Sequence, residues 1–351
     1  MINLNPSTLF TSCKTEARQF ENRTYSGKGI ITASEGNKRL IQTFTSVSIL
    51  RKSCNLPIEL FYADDEELDC KQIAMLSSLD VKCINIQSFP AFSNYNARNF
   101  SIKSLAIYLS SFDETIWMDA DIIPLTDFNL LFDIPSYKRE DHLFFEDIFS
   151  YNKNENAMTR STQRFFKLFN VTIAEGSPET DSGLFILNKN KLPHDFILFN
   201  LVCNLNHNVV YKSVYGDKEL YRLSMLLCEK EFNTNGVFPK IIGKHFSKED
   251  ILCGNGVVLE SNQNDQVAIH MTLHSVDHFD KYNHFWETSF WSHWVPVTIE
   301  VDLKVVEPLN QEILPKFRYD YKWMECIPEK IQVIQAELYN YIHAYQKNLK
   351  G

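Results

Sequence analysis

Apolar and polar positions along the first third of the chain follow two different periods. Three short apolar runs predict strands, at Gly29–Ala33, Pro57–Tyr62 and Val81–Ile86. Between them, apolar residues recur with helical spacing from Lys38 to Ser53 and again up to Ser78. Strands that alternate with helices at this interval predict βαβ units, and therefore an α/β fold with a mostly parallel sheet flanked by helices.

The next predicted strand leads directly into two acidic residues. A helical pattern at Ile102–Ser111 precedes the apolar segment Thr115–Met118, and Asp119 and Asp121 follow that segment. In parallel α/β sheets, ligands bind at the carboxyl ends of the strands. The position of these two carboxylates makes them the first candidates for a functional site.

The rest of the chain continues the pattern without a repeat or linker that would divide it. Further strands and helices are predicted at Leu143–Phe145, Gly183–Leu187, Gln266–Ile269, Pro193–Asn206 and Lys218–Cys228. Near the end, Val297–Val306 alternates and Glu329–Lys347 reads as a polar helix. We therefore predict an N-terminal extension at residues 1–24, one α/β domain at 25–300 and a C-terminal tail at 301–351 that packs on it.

Composition excludes several classes of function. There are 35 Lys and Arg residues against 44 Asp and Glu, the net charge is −9, and no basic run occurs. Non-specific nucleic-acid binding needs clustered basic side chains, so we expect no nucleic-acid partner. Glycine is scarce, and neither G-x-G-x-x-G nor G-x-x-x-x-G-K-[ST] occurs. Phosphate groups would have to be bound by a device other than a glycine-rich loop.

The sequence shows no targeting or membrane-spanning pattern. No apolar stretch reaches the roughly 18 residues of a membrane helix, and Met1–Cys13 lacks the pattern of a signal peptide. We therefore expect no transmembrane segment in this chain. The eight cysteines form no C-x-x-C pair, so neither a zinc site nor a disulfide framework is predicted.

The chemistry of Asp119 and Asp121 points to a divalent cation. Two carboxylates two residues apart, at the end of a buried strand, can present oxygen atoms to one hard cation such as Mn²⁺ or Mg²⁺. A solvated turn is the alternative, since D-x-D pairs also occur in polar loops. Here the flanking residues are apolar, including Ile122–Leu125, and burying two acids without a cation is costly. The surroundings favour a metal site.

The region around this motif resembles the D-x-D region of GT-A glycosyltransferases. The chain is similar, over about residues 25–275, to the fungal Golgi α-1,2- and α-1,3-mannosyltransferases. The similarity rests on blocks in the same order: Gly27–Ala33, Leu50-Arg51, Leu56–Glu59, Lys103–Leu125, Phe144–Asp147, Glu179–Gly183 and Tyr215–Lys218. It implies a GT-A (Rossmann-like) fold and a retaining transfer of a hexose, most simply mannose from GDP-mannose, to a hydroxyl of a glycan or protein acceptor.

The resemblance implies a ligand set for the metal. Asp119 and Asp121 would hold Mn²⁺ (or Mg²⁺) on the donor diphosphate, with Asp121 as the more direct ligand. His270 would be the third protein ligand, and His274 is the alternative four residues on. For either histidine, an ordinary core or surface position is the competing interpretation.

The resemblance also implies a donor site. Thr32 and Ala33 would line the nucleoside, and Ala120 lies within the D-x-D block that meets the diphosphate. Lys103 would face the diphosphate, with a solvated helix lysine as the alternative. Gly183 would allow close approach of the sugar.

Four acids are implied to act on the transferred sugar or the acceptor. Asp181 would lie near the anomeric carbon, where it stabilises or briefly bonds the sugar cation. Asp217 would bind substrate, cap the helix that follows it, or do both. Glu146 and Asp147 would contact the acceptor or the donor sugar, with a loop turn as the alternative.

Other functions use similar residues. The same D-x-D would serve a UDP-glucose, UDP-galactose or UDP-N-acetylglucosamine donor. A haloacid-dehalogenase-type phosphatase also places D-x-D after an apolar strand, but usually near the start of the chain. An inactive sugar-binding GT-A scaffold is the non-enzymatic alternative.

The cellular location stays open at this point. The fungal enzymes carry an N-terminal membrane anchor, which this sequence does not show. The resemblance therefore implies either the Golgi or secretory lumen, for a form that has lost its anchor, or the cytosol, as for a viral or bacterial enzyme.

Overall fold

The computed structural model describes residues 23–34, 36–93, 95, 100–150, 157–174, 177–214, 216–246, 251–263, 265–271, 293–296 and 325–350. The strands are β1 (Lys28–Ala33), β2 (Ile58–Tyr62), β3 (Val81–Asn85), β4 (Glu114–Met118), β5 (Ile122–Pro124), β6 (His142–Ser150), β7 (Pro178–Asn188), β8 (Lys240–Phe246), β9 (Ile251–Glu260), β10 (Gln266–His270), β11 (His293–Pro296) and β12 (Glu325–Cys326).

The helices are α1 (Gly36–Leu50), α2 (Cys70–Ser77), α3 (Ser101–Leu109), α4 (Pro135–Glu140), α5 (Ala157–Lys167), α6 (His194–Leu205), α7 (His207–Val210), α8 (Lys218–Leu227) and α9 (Glu329–Lys350). Short 3₁₀ turns lie at Ile86–Ser88, Pro90–Phe92 and Phe128–Asp133. The helices predicted from periodicity are present as α1, α2, α3, α6, α8 and α9, with ends shifted by a few residues. None of the helices described is both long enough and apolar enough to cross a membrane.

The first sheet contains all the strands that the sequence predicts except Gln266–Ile269. Its strand order is β3-β2-β1-β4-β7-β6, in which β1 to β4 run parallel and β7 runs antiparallel to both β4 and β6. All five residues of β2 are buried, as in strands that are covered on both faces. The predicted α/β fold, with a mostly parallel sheet flanked by helices, is confirmed.

Alternation along these strands fills a separate core on each face of the sheet. Ile31 and Trp117 pack with residues of α3, α6 and α8 on one face. Ile30 and Ile116, their neighbours in sequence, pack with residues of α1 on the other. Burying each large apolar side chain stabilises the fold by about 1.5–3 kcal/mol, so both layers hold the sheet in place.

A second sheet, of which the sequence pattern predicts only the strand Gln266–Ile269 (β10), carries the other half of the candidate site. Its order is β12-β11-β8-β9-β10-β5, and neighbouring strands run antiparallel. Strand β5 begins immediately after Asp121 and pairs with β10, so that His270 lies opposite Ile122. This register brings the end of β10 to the end of β4.

The helix predicted at Glu329–Lys347 is confirmed as α9, which packs against α1. The rings of Phe44 and Tyr345 lie 5.5 Å apart, and Lys52 forms an ion pair of 2.6 Å with Glu337. The predicted segment Val297–Val306 lies outside the described residues. The division into three segments at residues 24 and 300 remains a prediction.

Candidate metal and donor site

Asp119 and Asp121 lie in a short turn between the two sheets. The amide of Asp119 donates to the carbonyl of Gly183 on β7 at 2.8 Å, and the amide of Ile122 donates back to the carbonyl of Asp119 at 3.1 Å. The hydroxyl of Ser46 on α1 holds the carbonyl of Ala120 at 3.0 Å. These bonds hold the turn in place from β7 and from α1. The strands on either side of it, β4 and β5, are each paired within a sheet.

His270 reaches the same turn from β10. Its Nε2 lies 3.4 Å from Oδ1 of Asp121, and the amide of Met271 donates to the carbonyl of Asp121 at 3.0 Å. One ligand atom from each of Asp119, Asp121 and His270 lies within 4.8 Å of the others. The three residues predicted to hold the metal are therefore together, whereas His274 lies outside the described residues.

This donor set fits a hard divalent cation. Two carboxylates and one imidazole are ligands that Mn²⁺ accepts. Burial, opposed by the charge of Lys103 and reinforced by that of Asp121, raises the pKa of Asp119 to about 6. A cation between the two carboxylates would offset the free-energy cost of ionising them in a buried place, since it favours their ionised forms.

The other charges of the cluster set the protonation of His270. Burial disfavours the imidazolium, but Asp181 and Asp121 outweigh it and raise the pKa of His270 well above 6.5. Burial also opposes ionisation of Asp121 and Asp181, yet the charge of His270 lowers the pKa of each. The positive charge of His270 thus balances the neighbouring carboxylates, and a metal that bound to Nε2 would have to displace its proton.

Lys103 is a buried ion-pair partner, so the alternative of a solvated helix lysine is wrong. Its side chain is 4% exposed, and Nζ lies 3.2 Å from Asp119 and 3.1 Å from Asp217. Nζ also donates to the carbonyl of Ser182 at 2.7 Å. Burial would lower the pKa of Lys103, but the two carboxylates raise it, so the ammonium stays charged.

Asp217 precedes α8 but does not cap it through its side chain. No first-turn amide bonds to its carboxylate. Its backbone is already helical, with φ −89° and ψ −20°, whereas a capping residue needs an extended conformation to reach the amides. The carboxylate turns instead to Lys103, so the prediction of a helix cap is wrong.

Asp181 and Gly183 lie on β7 beside the histidine. Oδ2 of Asp181 is 2.5 Å from Nδ1 of His270, and its Oδ1 accepts the amide of Gly183 at 2.6 Å. Asp181 is 4% exposed. Both carboxylate oxygens are therefore engaged within the protein.

Glu146 and Asp147 are consecutive residues of β6, so the alternative of a loop turn is wrong. Glu146 accepts the hydroxyl of Thr234 at 3.0 Å and contacts neither Asp119 nor His270 among the described interactions. Asp147 pairs with Lys218 at 2.8 Å, and Lys218 also pairs with Glu179 at 2.7 Å. The two acids thus belong to different polar groups.

Thr32 and Ala33 end β1 one strand away from the D-x-D turn. Thr32 is fully buried, and its hydroxyl has no hydrogen-bond partner among the residues that the structure describes. The buried hydroxyl of Ser34 is in the same condition. Buried polar groups are normally paired, so these two hydroxyls have unused capacity at the carboxyl end of β1.

Two residues that sequence reasoning missed also contact the carboxylates. Arg39, on the first turns of α1, has Nη1 3.4 Å from Oδ2 of Asp121 and a side chain that is 45% exposed. The indole Nε1 of Trp117 donates to Oδ1 of Asp119 at 2.7 Å. A signal was present for Arg39, because a basic residue follows the first strand at the start of a helix.

Glu219, on the first turn of α8, provides a test of the electrostatics beside the site. Burial, opposed by Arg222 and reinforced by Asp147, raises the pKa of Glu219 to about 7. The unfolded chain releases this proton near pH 4.3, so ionisation costs the native state on the order of 3 kcal/mol by pH 7.5. The stability that the protonated Glu219 gives the native state is therefore fully present below about pH 4.3 and is lost as the pH rises through 7.

The variant Glu219→Gln stays neutral and should escape this loss. We expect its free energy of unfolding, relative to the wild type, to increase steadily between pH 4.5 and 7.5. Urea unfolding at several pH values measures the difference, with Glu66→Gln at an exposed position as the control. A difference that does not change with pH would contradict the assignment.

A protein-family model described as "Mannosyltransferase putative" matches residues 27–176 and 148–275 of the chain. Alpha-1,3-mannosyltransferase MNT3 of Saccharomyces cerevisiae is 27% identical over 264 residues, which cover 63% of this chain and 41% of the relative. Alpha-1,2-mannosyltransferase MNN21 of Candida albicans is 30% identical over 127 residues, which cover 32% of this chain and 19% of the relative. The chain thus spans less than half the length of these relatives.

Solved structures with a similar course of the chain include two glycosyltransferases. Mouse xyloside xylosyltransferase 1 has a TM-score of 0.40 and 12% identity, and the match covers 59% of this chain and 85% of that one. Galactosyltransferase LgtC, in complex with donor and acceptor sugar analogues, has a TM-score of 0.37 and 13% identity, covering 56% of this chain and 70% of that one.

Proposed function

Because this chain belongs to the mannosyltransferase family whose model matches most of it, we propose that it is a metal-dependent, retaining mannosyltransferase. The donor would be GDP-mannose, and the acceptor a hydroxyl of a glycan or a protein. The observation that carries the proposal is the convergence of Asp119, Asp121 and His270 within 4.8 Å at the end of β4.

Asp119, Asp121 and His270 would hold Mn²⁺ or Mg²⁺. When bound, the cation would neutralise the negative charge that develops on the leaving nucleoside diphosphate. Asp121 would be the more direct ligand, since among the described residues its oxygens have only long contacts of 3.4 Å, with His270 and Arg39, whereas those of Asp119 accept from Trp117 and Lys103 at 2.7 and 3.2 Å.

The donor would lie along the carboxyl ends of β1 and β4. The unpaired hydroxyl of Thr32 is available to the nucleoside, next to Ala33. Lys103, which pairs with Asp119 in the turn that also contains Ala120, would place a positive charge near the diphosphate. Arg39 is the more exposed cation, and we propose that it leaves Asp121 to pair with a phosphate oxygen.

Asp147 on β6, whose side chain is 18% exposed and pairs with Lys218, would face the transferred sugar. Asp217, whose side chain is as buried as that of Asp181, would act through its ion pair with Lys103. A retaining transfer needs no strong base on the far face of the sugar, only an anion that stabilises the sugar cation or briefly bonds it. Glu146 would contribute to the acceptor side.

A panel of sugar nucleotides tests the proposal. The chain would be incubated with GDP-mannose, UDP-glucose, UDP-galactose or UDP-N-acetylglucosamine, each with Mn²⁺ or with EDTA. We expect hydrolysis of GDP-mannose with Mn²⁺ and almost none with EDTA. With a methyl mannoside acceptor, the product should keep the α configuration of the donor, as measured by NMR.

Each other outcome would contradict a defined part of the proposal. Hydrolysis of a UDP-sugar instead would overturn the donor, and activity that survives EDTA would overturn metal dependence. Hydrolysis of a generic aryl phosphate would favour a phosphatase. No turnover of any donor would leave a scaffold without transferase activity.

A further inference from the structure

The imidazole of His270 is held by Asp181 through Nδ1, while its other nitrogen, Nε2, faces the D-x-D turn. Nδ1 lies 2.5 Å from Oδ2 of Asp181, whereas Nε2 lies 3.4 Å from Oδ1 of Asp121. In the neutral ring that a metal requires, a carboxylate that accepts from Nδ1 fixes the tautomer in which Nε2 carries the free lone pair. The ring is thus oriented for coordination through Nε2.

Gly183 provides the space in which this ring lies. A Cβ atom at residue 183 would be 2.5 Å from Cε1 of His270 and 2.7 Å from its Nδ1. Gly183 is not among the residues with positive φ, so its backbone conformation does not require glycine. The requirement is steric, and it comes from the histidine.

The same three-residue segment is tied to the D-x-D turn. The carbonyl of Gly183 accepts the amide of Asp119 at 2.8 Å, and the carbonyl of Ser182 accepts Nζ of Lys103 at 2.7 Å. Oδ1 of Asp181 closes the segment on the amide of Gly183 at 2.6 Å. The segment Asp181–Gly183 therefore contacts both His270 and the D-x-D turn, and it connects the three candidate metal ligands.

We infer that Asp181 and Gly183 are positioning residues that orient His270 for metal binding, and that Asp181 does not face the anomeric carbon. Both oxygens of Asp181 are engaged, and its side chain is 3% exposed, which leaves no free face for a sugar. This inference rests on the metal site of the proposed function. It also replaces the sugar-contact role expected of Gly183 by a steric one.

Binding of Mn²⁺ to the full chain, measured by the loss of the free-ion signal in electron paramagnetic resonance, tests the inference without turnover. In Asp181→Asn the dissociation constant for Mn²⁺ should rise roughly 10–100-fold, the usual cost of losing the carboxylate that hydrogen-bonds to a metal-binding histidine. Gly183→Ala keeps the carboxylate but displaces the ring, and it should weaken binding as well. At saturating Mn²⁺, the kcat of Asp181→Asn should return close to that of the wild type.

Matched controls separate this effect from general damage to the fold. Glu59→Gln removes a buried carboxylate from β2, and Gly29→Ala adds a methyl group that collides with the ring of Phe112. Neither should change the affinity for Mn²⁺. Unchanged affinity in Asp181→Asn, with kcat still low at saturating Mn²⁺, would overturn the inference and return Asp181 to the sugar. A wild-type chain that binds no Mn²⁺ would instead refute the metal site itself.

Discussion

Asp121→Asn is expected to lower sugar transfer by about 1,000-fold, which corresponds to about 4 kcal/mol of transition-state stabilisation. The amide keeps the shape of the carboxylate but removes the charge that attracts the metal. It also removes one of the two anions that stabilise a charged His270. Initial rates at several Mn²⁺ concentrations, together with Mn²⁺ binding by electron paramagnetic resonance, measure the two effects separately.

Asp127→Asn is the matched control for this substitution. Asp127 lies six residues further on and accepts the amide of Asn129 at 2.9 Å, which an asparagine can also do. Its rate and metal affinity should equal those of the wild type. An Asp121→Asn enzyme that binds Mn²⁺ as tightly as the wild type would show that the cation is held elsewhere.

The sequence could predict the first sheet because each of its elements has a local pattern. Buried parallel strands are continuous apolar runs, and the helices between them repeat with a period of 3.6 residues. In the second sheet only β10 has such a local pattern. Strand β5 has three residues, and its partner β10 lies more than 140 residues further along the chain. A pairing of that kind depends on tertiary structure.

The residues of the candidate site could likewise be predicted only where the signal is local in sequence. Asp119 and Asp121 stand out because they follow a buried strand, and that is a local signal. The approach of His270 was implied only by resemblance to a family, since nothing near it in sequence distinguishes it from other histidines. The pairing of Lys103 with Asp217 joins residues 114 positions apart, and helical periodicity alone cannot separate a buried lysine from a solvated one.

The two alternatives that the structure contradicts, a helix cap at Asp217 and a solvated lysine at Lys103, fail for one physical reason. An acid before a helix is usually a cap, and a lysine on a helix is usually solvated, because most of them lack a better partner. Here each is the better partner of the other. Their mutual attraction in a buried place outweighs the capping preference of the acid and the preference of the lysine for solvent. Mutation of this pair therefore tests the attraction directly.

Lys103→Met is expected to lower the free energy of unfolding by about 3–5 kcal/mol, the usual cost of removing one member of a buried ion pair. The substitution leaves the carboxylates of Asp119 and Asp217 without their shared cation and the carbonyl of Ser182 without its donor. Urea unfolding at pH 7 measures the loss. Because the stranded acids can take up protons, part of the stability should return as the pH falls toward 5.

The double variant Lys103→Met with Asp217→Asn tests whether the stranded charge causes this loss. A neutral amide costs less to bury than a carboxylate, so the double variant should be more stable than the sum of the two single variants predicts. Lys138→Met is the control, since Lys138 and Asp133 form a pair whose side chains are 58% and 69% exposed. Such a surface pair contributes at most about 1 kcal/mol. Equal losses in Lys103→Met and Lys138→Met would mean that the charge of Lys103 does not stabilise the buried carboxylates of Asp119 and Asp217.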